Sequence, residues 1–401
     1  MVHDVSRALM WLFTFSINLA QKTFQIPARY NCIYSQKEIL KSLTFLSLET
    51  KYANKGLRRL SKRLRRAKTP ARLGKAPNGD TFLLRLKQIS RKKAQSMLGQ
   101  LNRQVLETAK RKGAFRKMVD AAIDLTFIPY YGKRFSQYVV GGEPKQGTSY
   151  FHCWATLRIV SPGRRFTIKA IPVKRNQLDS DEIAKIAFEL LSEAKSLNIH
   201  LRFVMLDKGF YNKAVIRALQ VSSYRFLVAA KRNKYEKEAI LHYFRTGKGQ
   251  VIPFGLGKGK ERIRFRLTIH RFKKRKHRRV RNILELYGAF ATNLGWSEAL
   301  RVWERLPEDY RCRWGIETGY RVDKEFRAKT TSRNGGIRLI YFQYMVFLEN
   351  VWTLHNMEEA KRQSVCFDAL KRPLVTGEDF CEDCVYLLVN ACDAGPPVCR
   401  R

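Results

Sequence analysis

Leu201-Arg-Phe-Val-Met-Leu-Asp207-Lys-Gly-Phe210 is the stretch on which the fold turns. Its first six residues are apolar except for Arg202, and they follow a helical pattern. Such a run marks a strand buried on both faces of a sheet, and an Asp at its carboxyl end lies where open α/β sheets place ligands. Working outward, Asp179-Ser-Asp-Glu opens the preceding helix through Ser196. Acids sit at its positive end, and Ile183, Ile186, Ala187, Leu190, Leu191 and Ala194 line one face. A helix over Asn212–Val221 and a strand over Tyr224–Lys231 follow.

Further upstream, Ala121-Ala-Ile-Asp-Leu-Thr-Phe-Ile-Pro129 is a short apolar strand with Asp124 at its centre. Asp has poor strand propensity, so its presence there asks for a reason: a local turn cap or a functional carboxylate. Ser149–Val160 and Arg165–Val173 form two more strands joined at Ser161-Pro-Gly, a hairpin signal. The order is βββαβαβ, three strands able to form an antiparallel meander and then alternating helix and strand.

Downstream, Tyr310–Lys324 reads as one α-helix. Tyr310, Arg313, Glu317, Tyr320, Arg321 and Lys324 share a polar face, and Cys312, Gly315, Ile316, Gly319, Val322 and Phe326 form a small or apolar stripe. The plain account of that polar face is a solvated i,i+4 ion pair between Arg313 and Glu317. The surplus of cations around one Glu suits instead a site that holds a metal ion and an anionic backbone together.

Composition points the same way. Lys and Arg number 78 against 34 Asp and Glu, a formal charge of +44 spread along 401 residues. Such self-repulsion calls for a polyanion, and nucleic acid fits better than a membrane surface, which a single basic amphipathic helix would serve. With 45% hydrophobic residues the chain can bury a core in more than one lobe. The apolar stretch Ala8–Ala20 is interrupted and too short to span a bilayer, and it reads as a packing helix rather than a secretory signal. The expected setting is the cytoplasm, at the nucleoid.

Five regions are expected. Residues 1–117 form a basic helical DNA-binding domain, with a capping box at Ser35-Gln-Lys-Glu, a basic helix from Lys55 to Arg66 and a helix over Leu83–Lys112. The pair flanking Gly56 is compatible with a helix-turn-helix and equally with a helix touching only phosphates. Residues 118–233 and 301–360 form an α/β core that holds Asp124, Asp207 and the Tyr310–Lys324 helix, and Ile337–Leu354 is an apolar helix backing its sheet. Residues 234–300 form a β-rich insertion with a basic turn at Lys273–Arg281. Residues 361–401 form an acidic tail, in which Cys381-x-x-Cys384 with Cys392 and Cys399 invites a zinc reading against one of buried thiols.

Tyr310, Arg313, Glu317 and Lys324 are separated by two, three and six residues. This spacing resembles the Y-R-E-K signature of a branch of DDE transposases from prokaryotic insertion sequences, and Asp207-Lys-Gly-Phe resembles that branch's Asp-x-Gly-Phe/Tyr block. Over about residues 118–335 the resemblance implies a ribonuclease H-like mixed sheet, α/β in class, flanked by helices. It implies Asp124, Asp207 and Glu317 as catalytic, metal-binding acids. Two Mg²⁺ or Mn²⁺ ions would be shared, Asp124 bridging them and Asp207 and Glu317 each completing one. Tyr310, Arg313 and Lys324 would hold phosphates, Arg321 and Lys208 would add DNA contacts, and Trp296 or Trp303 would either stack on a flipped base or serve as packing. The implied activity is cleavage at the ends of a mobile element and strand transfer into target DNA, carried out by at least a homodimer. A catalytically inactive DNA-binding derivative and a structure-selective nuclease on the same fold are the alternatives.

Overall fold

A computed structural model describes residues 6–28, 30–67, 75–134, 136–145, 147–272, 282–370 and 372–390. The chain divides into two compact units: residues 1–114, 162–167 and 318–401 form the first, and residues 115–161 and 168–317 the second.

The first unit is helical. It begins with α1 (Arg7–Thr23), which buries Leu9, Leu12, Phe13 and Ala20, so the apolar stretch is indeed a packing helix. In α2 (Gln36–Leu48) the Ser35 hydroxyl accepts from the Glu38 amide at 3.3 Å, and the Glu38 carboxylate accepts from the Ser35 amide at 2.8 Å. α3 (Ala53–Arg66) crosses α2 closely at Gly56, where a Cβ would lie 2.3 Å from a Leu46 methyl. The helix expected over Leu83–Lys112 is two, α4 (Gly79–Lys87) and α5 (Arg91–Arg111). The break falls before Ser90, whose hydroxyl accepts from the Lys93 amide and starts a new helix.

The second unit is built on a mixed sheet. Its elements are β1 (Val119–Pro129), β2 (Val140–Lys145), β3 (Thr148–Ile159), β4 (Thr167–Val173), α6 (Ser180–Ser196), β5 (Leu201–Leu206), α7 (Lys213–Val221) and β6 (Phe226–Ala229). There follow α8 (Lys234–Thr246), β7 (Val251–Leu256), β8 (Ile263–Arg271), β9 (Tyr287–Thr292), α9 (Trp296–Val302), α10 (Leu306–Arg311) and the first residues of α11 (Trp314–Val322), which from Thr318 on is counted with the first unit. The strand order is β2-β3-β1-β5-β6-β9-β8-β7, with β4 also pairing β3. β1, β5 and β6 run parallel, because helical crossovers α6 and α7 join β4 to β5 and β5 to β6. β3 on one side and β9, β8 and β7 on the other are antiparallel. The centre of this sheet is the expected ribonuclease H-like core.

Three further features depart from the sequence reading. β2 is an extra strand whose Gly141–Lys145 stretch is exposed throughout, so it carries no alternation to read. Residues 234–300 open with α8, ended by Gly247 in the left-handed region (φ 67°), and β9 pairs with β6, so the added strands extend the core sheet. The basic turn 273–281 lies outside the described residues. Finally, Tyr310–Lys324 is not one helix. Between α10 and α11 the amides of Cys312, Arg313, Gly315 and Ile316 bond carbonyls three residues back, a tighter 3-10 winding that changes the phase of the two halves. After α11 a short 3-10 turn, Asp323–Glu325, carries Lys324.

The first unit is completed by α12 (Gly335–Arg362) and α13 (Gly377–Asn390). α12 is buried nearly all round, among α1, α4 and α5, as the axis of that unit. Its Asn350 amide donates to the Asn102 side chain at 2.6 Å and to the Thr167 carbonyl at 2.8 Å, so this buried amide is satisfied. Cys381 and Cys384 are buried thiols on α13, both held protonated by burial; Cys392 and Cys399 lie outside the described residues. Among the described residues no helix is long and apolar enough to cross a membrane.

Candidate active site

Asp124 and Asp207 are brought side by side by strand register. Ile123 on β1 is paired with Leu206 on parallel β5, and each Asp is the next residue. Neighbouring strands lie about 4.8 Å apart, so the two carboxylates start from adjacent backbones at the carboxyl end of β5. Asp124 is bonded through Oδ1 to the Leu125 amide at 2.8 Å, and Asp207 through Oδ1 to the Gly209 amide at 2.7 Å. A Cβ at Gly209 would stand 2.9 Å from Asp207 Oδ1, so a larger residue there would shift that carboxylate.

The α10–α11 junction supplies the rest. Tyr310 donates its hydroxyl to the carbonyl of Leu206 at 3.0 Å, and its ring packs 4.5 Å from that of Phe290. Above that ring, 5.7 Å from its centroid, sits the Arg313 guanidinium. Arg313 reaches Glu317 Oε1 from Nη2 at 3.1 Å and stands 3.9 Å from Asp124 Oδ2. Its buried Nε has no hydrogen-bond partner among the described residues.

Burial, with Asp207 and Glu317 nearby, pushes the Asp124 carboxyl up to about 6, although the Leu125 amide and Arg313 pull the other way. Burial likewise pushes the Tyr310 hydroxyl up to about 12, which keeps it a donor at neutral pH. Among the described residues no three His, Cys, Asp or Glu side chains converge closely enough to hold a metal ion. Asp124 and Asp207 do fit a hard divalent cation: both offer carboxylate oxygens, and neighbouring carboxylates destabilise one another until a cation arrives. Glu317 is half-exposed and engaged by Arg313, so it would join that donor set only after leaving the guanidinium.

The other sequence-selected residues are placed as follows. Lys208 is exposed in the 3-10 turn directly after Asp207. Trp296 is exposed on the second unit, with the Arg266 guanidinium 5.9 Å over its ring. Trp303 is a packing residue, its indole N–H bonded to the Ile269 carbonyl at 2.9 Å and its ring stacked on His270. Arg321 and Lys324 are exposed side chains of the first unit.

Sequence reasoning missed a clamp beneath this site. Arg202 donates from Nε to Asp120 Oδ1 at 2.9 Å and from Nη2 to Asp309 Oδ1 at 2.8 Å, joining β1, β5 and α10. Burial raises the Asp120 carboxyl even against its Arg202 bonds. The signal was present: one arginine inside a buried strand requires carboxylate partners.

A family model described as a transposase DDE domain matches residues 116–341, more than half of the chain and a span holding Asp124, Asp207 and Glu317. No curated protein matches by sequence. Among solved structures, a cryo-EM structure of the piggyBac transposase synaptic complex with hairpin DNA is similar at 10% identity, with a TM-score of 0.53, covering 95% of this chain and 76% of that one. That likeness is one of fold. The chain belongs to the family of transposases with a DDE domain.

Proposed function

We propose that this chain is the transposase of a prokaryotic insertion sequence of the Y-R-E-K branch, cleaving DNA at the element's ends and joining those ends to target DNA. The observation that carries the proposal is the register of Asp124 beside Asp207, with Arg313 placed between Asp124 and Glu317. Asp124, Asp207 and Glu317 would hold Mg²⁺ or Mn²⁺, two ions in all. Held by these residues, such ions would supply activation of a water or a DNA 3′-hydroxyl and stabilisation of the leaving oxygen.

The protein's own groups do the positioning. Asp207 is aimed by the Gly209 amide and Asp124 by the Leu125 amide. Arg313, with an unfilled Nε donor and a fixed place over Tyr310, would bind a phosphate oxygen near the scissile bond once Glu317 turns to the metal. Tyr310 supports Leu206 and Arg313 rather than reaching a phosphate with its own hydroxyl. Lys208, Arg321 and Lys324 are further exposed cations for the DNA backbone, and Trp296 offers an exposed ring to a base. A paired complex of two element ends would need at least a homodimer.

The Glu317–Arg313 pair favours a second reading, a DNA-binding relative that no longer cleaves. Incubating the purified protein with a labelled fragment carrying the DNA that flanks its gene, with Mg²⁺, Mn²⁺ or EDTA, separates the two. Metal-dependent cleavage at terminal repeats, lost in Asp124→Ala, Asp207→Ala and Glu317→Ala while binding persists, supports the transposase. Binding without cleavage under either metal supports the second reading, and cleavage that survives Glu317→Ala removes Glu317 from the site.

A further inference from the structure

We infer that the outward face of α3 is a docking ridge for the phosphate backbone of duplex DNA, built from Lys55, Arg58, Lys62 and Arg65. This rests on the transposase reading for the identity of the polyanion.

α3 carries seven cations and no acid. They fall into two sets. Arg59 and Arg63 are bound by Glu49 at 3.0 and 2.8 Å. With Arg66 they line a cavity of about 920 Å³, to which Glu325, Glu378 and Glu382 also contribute. Charge on that flank is matched within the fold. Lys55, Arg58, Lys62 and Arg65 are exposed and form no ion pair with any described residue. At about 100° per residue these four fall within an arc of about 80°, opposite the buried Leu57, Leu60 and Leu64.

The geometry suits one partner. The four cations span about 15 Å of helix at 1.5 Å per residue. A duplex presents about one negative charge every 1.7 Å of its axis, so a straight ridge of this length can meet a phosphate with each cation. Like charges three and four apart on a helix repel, a cost that a row of phosphates reverses. Gly56 holds α3 tightly on α2, so the ridge is presented by a fixed helix rather than by a loop. Phosphate contacts of this kind carry no sequence information, so the ridge supplies affinity and register, not recognition.

The test measures binding of the full-length protein to short duplexes, of terminal-repeat and unrelated sequence, in EDTA across a series of salt concentrations. Each lost phosphate contact should flatten the plot of log K against log salt by about 0.9, so a variant with all four cations changed to Gln should be shallower by about 3.6, equally on both sequences. The single variants Arg58→Gln and Lys62→Gln should each lose about 0.9. Arg59→Gln with Arg63→Gln should keep the wild-type slope, and circular dichroism should report the same helix content in every variant. The inference is overturned if the fourfold variant keeps the wild-type slope, if the Arg59/Arg63 pair flattens it as much, or if only binding to RNA or to anionic vesicles is lost. A wild-type protein that cleaves element ends while the fourfold variant keeps its slope refutes the ridge and leaves the transposase reading intact. One that binds through the ridge and never cleaves does the reverse.

Discussion

Arg202, the second residue of β5, donates to Asp309 at 2.8 Å, while Tyr310, the residue after Asp309, bonds the carbonyl of Leu206 at the far end of the same strand. Two adjacent residues of α10 thus clasp β5 at both ends, and this sets where Arg313 and Glu317 stand relative to Asp124 and Asp207. Replacing Arg202 with Met should leave Asp120 without its counter-ion, facing Asp309, which keeps the Arg305 guanidinium at 3.3 Å. Breaking a largely buried pair in this way costs about 3 kcal/mol or more. Urea unfolding should show it, and Arg202→Lys should recover only part because an ammonium cannot reproduce the forked contact.

Asp124→Asn should stabilise the metal-free protein while removing activity. The native carboxyl titrates at about 6 against an ordinary value of 3.8, so between those values the folded state binds more protons than the unfolded one. Stability from this group is complete below pH 3.8 and is lost as pH rises through 6. The full loss is of order 3 kcal/mol, taking 1.36 kcal/mol per pH unit. Urea midpoints of the two proteins, compared from pH 4 to 8, should separate through that window and run parallel above it; parallel curves throughout would contradict the placement of Asp124.

Tyr310→Phe distinguishes a supporting hydroxyl from one that binds DNA. Loss of the bond to Leu206 leaves a carbonyl without its partner, which costs about 1–3 kcal/mol of stability. Affinity for duplex DNA in EDTA should be unchanged. A tenfold fall in that affinity with stability intact would return the hydroxyl to the phosphate.

Gly209→Ala should act on metal binding before it acts on the fold. The added Cβ would meet the Asp207 carboxylate at 2.9 Å and displace it from the amide that orients it. Calorimetric titration with Mn²⁺ should show at least a tenfold weaker site, by analogy with loss of groups that orient metal ligands. Thermal unfolding of the metal-free variant should stay within a few degrees of the parent.

Much of the chain was legible from the order of its residues because the signals there are local. The Ser35 capping box, the acids at the start of α6, the apolar run of β5 and the Asp at its end depend on neighbours within a few positions, and each appears where those neighbours place it.

What tertiary structure decided was long-range and geometric. Glycine-bearing β2 is a strand only because β3 offers it an edge, and β9 joins β6 across an intervening helix and hairpin. The Tyr310–Lys324 face looked continuous at 3.6 residues per turn, but the 3-10 winding at Cys312–Ile316 rotates its halves. Tyr310 is thereby turned into β5 while Arg313 and Glu317 are left facing Asp124. Periodicity assumes a regular helix, whereas the clasp of Asp309 and Tyr310 on β5 rests on contacts about a hundred residues apart, which no local pattern encodes.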